Sequence, residues 1–97
     1  MPGRVVVVGS YNHDHVWQVD ELPAPGATRL STYGGGPGGK GFNQAVASAR
    51  SGAATVFVTA LGDDAAAVQA RALATSDGID LREEVFADVA SGSAGIF

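Results

Sequence analysis

Between Gly34 and Gly41 six of eight positions are glycine, and the residues that follow, Phe42, Ala45, Val46 and Ala49, fall at i, i+3, i+4 and i+7. That spacing draws a single apolar stripe along a helix, which Gly52 can close in a left-handed conformation. The glycine segment is therefore read as a loop that delivers the backbone to a helix N-terminus. Glycine lets main chain approach a ligand closely and adopt positive φ, and the N–H groups of a first helical turn attract oxygen atoms carrying negative charge. Lys40, the only lysine among 97 residues, stands inside this loop, and Asn43 falls in the first turn off the apolar stripe. Together they predict a site for a polar ligand.

The remaining segments alternate in type. Arg4 to Gly9 is a valine run closed by glycine, the pattern of a central strand buried on both faces of a parallel sheet. Residues 15–20 and 28–33 alternate apolar and polar side chains around the turn Pro23-Ala24-Pro25-Gly26, which predicts two half-exposed strands. Ala54 to Ala60 is strand-like, and Asp63 or Asp64 can cap a helix from Ala65 to about Ser76 that Gly78 ends. Arg82 to Ala87 reads as another strand, and a further one starts near Ser93. The order implies an α/β layer with a hairpin excursion. Because that last strand stops on Ile96-Phe97 without turn or polar tail, the chain is expected to be truncated.

Composition narrows the function. Ten acidic residues against six basic ones give a formal charge of −4, so no cationic field is available for nucleic acid or anionic membranes. Absence of cysteine removes thiol catalysis and disulfide frameworks. Met1-Pro2-Gly3-Arg4 leads into only four valines, too short for a signal peptide or membrane span, so a soluble, cytoplasmic chain with a small-molecule partner is expected.

Three readings of the glycine segment compete. Gly34 and Gly39-Lys40 match the start of a phosphate-binding P-loop, but Gly41 replaces its hydroxyl residue and Pro37 removes an N–H. Gly36, Gly38 and Gly41 match a dinucleotide fingerprint, although that fingerprint should follow the first buried strand. The third reading is a different polar-ligand loop. A second constellation, Asn12 and Asp14, follows the valine strand, where open α/β sheets meet ligands; an amide and a carboxylate can together serve vicinal hydroxyls. The bland alternative there is an Asx turn. His13 and His15 flank Asp14 but lack a third, distant metal ligand, so no metal site is assigned.

Taken in order, Gly9-Ser10-x-Asn12-x-Asp14, Leu22-Pro23-x-Pro25-Gly26-x-Thr28, Gly38-Gly39-Lys40-Gly41-x-Asn43-Gln44-Ala45 and Gly62-Asp63-Asp64 resemble the N-terminal third of the ribokinase-like (PfkB) carbohydrate kinases. The resemblance implies a three-layer α/β/α fold with a small β-sheet lid, here an N-terminal portion spanning 1–97, with lid strands at about 15–20, 28–33 and from 93. It implies transfer of the γ-phosphoryl group of ATP to a sugar hydroxyl. Asn12, Asp14, Gly39, Lys40, Gly41 and Asn43 would bind the sugar. The catalytic base and the sites for ATP, Mg2+ and K+ would lie outside these residues, leaving the chain inactive alone, and the intact protein would pair two copies through the lid. Tyr11, His13 and Phe42 are larger than is usual for this family and point to an acceptor other than ribose, either another furanose or a nucleoside stacked on an aromatic ring. Two alternatives stay open: a nucleoside kinase of the same family, and a non-catalytic α/β module that binds a small molecule.

Overall fold

The computed structural model describes residues 3–97; Met1 and Pro2, which open the segment read as too short for a signal peptide, lie outside the described residues. The elements run β1 (Arg4–Val8), β2 (Asn12–Gln18), β3 (Thr32–Gly38), α1 (Lys40–Arg50), β4 (Ala54–Gly62), α2 (Ala65–Ser76), β5 (Asp80–Phe86) and β6 (Gly92–Ile96). They form two sheets. The main sheet is parallel with order β1-β4-β5; the small one has order β3-β2-β6, with β3 antiparallel and β6 parallel to β2.

β4 sits in the middle of the main sheet, and its register sets Val7 of β1 and Leu81 of β5 on either side of Phe57. Because side chains alternate along a strand, Thr55, Phe57 and Leu61 share one face. Both helices cover it. Phe42 and Ala45 of α1 and Ala67, Ala70 and Ala74 of α2 join Phe57 and Leu61 in one buried cluster. The alanine stripe at i, i+3 and i+7 lets α2 lie close to the sheet, while the aromatic rings of Phe42 and Phe57, 5.7 Å apart, fill the space under α1. Of the three layers expected, the described residues supply the sheet and one helical layer. Among the described residues no helix is long and apolar enough to cross a membrane.

Among the described residues β1 pairs with β4 alone, and on the face without helices Val6 is 55% and Val8 76% exposed. Two expectations shift. The strand expected at 15–20 begins earlier, at Asn12, so Asn12 and Asp14 belong to a strand and no Asx turn forms there. The strand expected at 28–33 lies instead at Thr32–Gly38, so most of the glycine segment is strand and not loop. Glycine has low strand propensity, which hid it. Seven register pairs with β2, from Asn12↔Gly38 to Gln18↔Thr32, hold it in place, and the bare backbone makes room for the large side chains of β2. A Cβ on Gly35, for instance, would meet the Asp14 carbonyl oxygen at 2.8 Å and the His13 ring at 3.5 Å.

Candidate functional site

Asn12 and Asp14 are two residues apart on β2 and so project from the same face of the small sheet, with their Cα atoms about 7 Å apart at the usual strand rise. Each lies over a glycine of a neighbouring strand. Asn12 is paired in register with Gly92 of β6, and a Cβ at Gly92 would collide with the Asn12 side-chain oxygen. Asp14 leans the other way, and a Cβ at Gly38 of β3 would fall inside its carboxylate. The two glycines thus fix where an amide and a carboxylate can rest, one on each side of β2.

Gly38 leads directly into α1 through a single residue. Gly39 has φ 97°, and a Cβ there would lie 2.8 Å from both the Asn12 amide nitrogen and the Ser10 carbonyl oxygen, so only glycine can make this connection. Gly41 is buried with its backbone against Gly9, and the following Phe42 N–H donates to the Ser10 carbonyl at 3.1 Å. The β1–β2 link and the N-terminus of α1 are therefore locked together, which brings Lys40 and Asn43 beside the strand that carries Asn12 and Asp14. Lys40 is the first residue of α1, and no acidic residue occupies the first turn. A cation there opposes the helix dipole by about 0.3–1 kcal/mol, so helix stability does not explain it. Among the described residues, the side chains of Asn12, Asp14, Lys40 and Asn43 form no hydrogen bond or ion pair with the chain.

The competing loop readings fail on topology. A P-loop and a dinucleotide fingerprint each need a loop between a parallel strand and its helix, whereas here an antiparallel glycine strand meets α1 after one residue. The three large side chains also fall elsewhere than expected. Tyr11 and Phe42 are 3% and 1% exposed, packed edge to face at 5.1 Å, with the Tyr11 hydroxyl donating to the Ala66 carbonyl at 3.2 Å. Burial, followed by the negative charges of Asp64 and Asp14, raises the Tyr11 pKa. Neither ring has a free face for a base to stack on. His13 points away from Asn12 and Asp14, into an aromatic row with His15, Trp17, Tyr33 and Phe97 on the opposite face of the small sheet. The basis for an acceptor other than ribose disappears with these placements. Alternation also separates Asp14 from both histidines, so the three cannot converge on one ion.

Sequence reasoning passed over Gly38 as a space-maker for Asp14 and missed Gly92 altogether. Their signal is weak, because a glycine that accommodates a cross-strand side chain looks the same in sequence as one in a loop. Asp64 takes the capping role foreseen for it, accepting from the Ala67 N–H at 3.0 Å, and it also accepts from the Ser91 N–H at 2.7 Å and the Ser91 hydroxyl at 2.8 Å. These donors, the Ser91 and Ala67 backbone N–H groups foremost, hold its carboxyl below the usual carboxylate range.

Comparison with known proteins gives this geometry a context. The sequence model for the pfkB family of carbohydrate kinases matches residues 3–92. Ribokinase of Haemophilus influenzae is 40% identical over 81 residues, covering 82% of this chain and 26% of its own. The structure of ribokinase from Giardia lamblia superposes with a TM-score of 0.88 at 34% identity, over 95% of this chain and 29% of its own. Arabidopsis thaliana ribokinase, solved in complex with ribose and ATP, gives a TM-score of 0.76 at 34% identity, over 98% of this chain and 32% of its own. The fold is ribokinase-like, and the chain spans less than a third of each of these relatives.

Proposed function

The chain belongs to the pfkB family of carbohydrate kinases, and from that membership we propose that it supplies the sugar-binding part of an ATP-dependent sugar kinase. The observation that carries this reading is the shared face of Asn12 and Asp14, each seated over a glycine and unpaired among the described residues, directly beside the N-terminus of α1. A carboxylate only accepts hydrogen bonds, an amide both donates and accepts, and an ammonium group only donates. Asp14 and Asn12 would engage adjacent sugar hydroxyls from above, while Lys40, Asn43 and the backbone at Gly39 and Gly41 hold the ring from the side.

In this reading the small sheet is the lid that closes over the sugar and excludes water, which would otherwise compete for the phosphoryl group. Its opposite face, where the Trp17 and Phe97 rings stack at 5.2 Å and Tyr33 and Phe97 are exposed, would pair with a second copy to form a homodimer. ATP supplies the γ-phosphoryl group. Among the described residues no three His, Asp or Glu side chains gather to hold a metal ion. From the family membership, and not from that absence, Mg2+, K+, the nucleotide and the general base are assigned to the remainder of the family domain, and the protein to the cytoplasm. What these residues contribute is binding and orientation, which together with charge neutralisation supply most of the rate in phosphoryl transfer.

With Tyr11 and Phe42 in the core, a free pentose is the preferred acceptor over a nucleoside. The test is ATP-dependent phosphorylation by the full-length protein of ribose, deoxyribose, fructose and adenosine. Ribose turning over with the highest kcat/KM is the expected result; turnover of adenosine alone would overturn the assignment.

A further inference from the structure

We propose that Asp64 is a positioning residue for the sugar site, acting through Ser91 to fix the register of β6 beneath Asn12. The inference rests on the reading that Asn12 binds the acceptor. A carboxylate that only caps α2 needs one oxygen and one bond, yet this one makes three: Oδ1 accepts from the Ala67 N–H and the Ser91 hydroxyl, and Oδ2 accepts from the Ser91 N–H. The Ser91 hydroxyl oxygen in turn accepts from the Gly62 N–H at 2.9 Å, so the end of β4, the start of α2 and the residue before β6 meet at one serine.

That serine stands immediately before Gly92, the residue whose missing Cβ leaves room for the Asn12 side chain. β6 has little of its own to fix its register. Its sequence Gly92-Ser93-Ala94-Gly95-Ile96 offers mostly small side chains, and among the described residues it is paired with β2 alone. Strands of this kind slip easily. A slip of one residue would put Ser91 or Ser93 opposite Asn12 and drive a Cβ into its side-chain oxygen. The Asp64–Ser91 clasp prevents this from outside the sheet, coupling the rigid main sheet to the position of one sugar-binding side chain.

The variants are Ser91→Ala, which keeps the Asp64–Ala67 cap, Asp64→Ala, their double, and Ser91→Thr, all in the full-length protein. Asp64→Ala, which frees both the Ser91 N–H and its hydroxyl, should raise the KM for ribose roughly tenfold, and Ser91→Ala, which leaves the Ser91 N–H without its hydroxyl companion but still bonded to Oδ2, by a smaller factor, with the KM for ATP unchanged in both. The double variant should be no worse than Asp64→Ala, since the two residues act as a unit, and Ser91→Thr should keep the wild-type value. An unchanged ribose KM in Asp64→Ala, or an equal rise in both KM values, overturns the proposal. Hydrogen exchange reads the register without reference to activity: in Ser91→Ala the amides of residues 92–96 should exchange faster while those of 32–38 keep their protection. Unaltered exchange at 92–96 also overturns it. Absence of sugar phosphorylation by the wild-type protein would instead strike the kinase assignment, leaving exchange to decide the role of the clasp.

Discussion

At the scale of single residues, the site is built as much by missing side chains as by present ones. Gly38 and Gly36 look alike in sequence, but a Cβ at Gly38 would occupy the space of the Asp14 carboxylate and one at Gly36 would meet nothing within 4 Å. Gly38→Ala should therefore weaken sugar binding by about tenfold or more by displacing one charge-assisted contact, while Gly36→Ala leaves it unchanged; calorimetric titration of both variants checks the contrast. Asp64 supports a second prediction. Its folded pKa lies below the ordinary value of 3.8, so its ionised form stabilises the fold above that value and the contribution is lost as pH falls through the lower folded value. Melting temperatures of the full-length protein measured on descending through pH 3.8 should fall more steeply for wild type than for Asp64→Asn, which lacks the titrating group. Parallel curves would contradict the role given to the clasp.

At the scale of elements, the helices and the strand β4 follow closely from local pattern, and the small sheet does not. The stripe Phe42, Ala45, Val46, Ala49 marks a helix, and the Asp63-Asp64 pair marks the start of α2, the structure choosing Asp64, whose oxygen accepts from the N–H three residues on. β4 is the strand whose loss matters most: Phe57 is fully buried between α1 and the sheet. Truncating it to alanine should destabilise the full-length protein by about 3–5 kcal/mol, read by chemical denaturation. The small sheet was harder to see for a physical reason. The stability of β3 comes from its partner: seven positions rich in glycine are a strand only because β2 supplies the side chains that cover them. The same pairing extends β2 back over Asn12 and Asp14, which the sequence pattern placed just before the strand. Their side chains could be nominated from the sequence, but the way they lean over Gly92 and Gly38 depends on pairings between strands far apart in the chain.

At the scale of the whole molecule, the described residues leave more surface exposed than a compact chain would. The accessible area is 6319 Å², against roughly 5,100 Å² expected for a compact monomer of this mass. The radius of gyration is 15.7 Å, where a compact chain of this length has about 12.5 Å. The valine face of β1, the exposed connection between β2 and β3 and the projecting small sheet all contribute to this. A stand-alone binding module would have to tolerate both, which favours a chain that works as part of a larger domain. The isolated 97 residues should accordingly show no cooperative melt and no ATP-dependent phosphorylation of ribose; a sharp calorimetric transition or turnover would contradict that expectation. The central claim is that this part of the fold holds the sugar, and it is tested most directly by calorimetric titration of ribose into the full-length protein and its Asp14→Ala variant. Wild-type protein should bind, and the variant should bind on the order of a hundredfold more weakly through loss of two charge-assisted hydrogen bonds. Equal affinity in the two would show that the carboxylate over Gly38 does not hold the sugar.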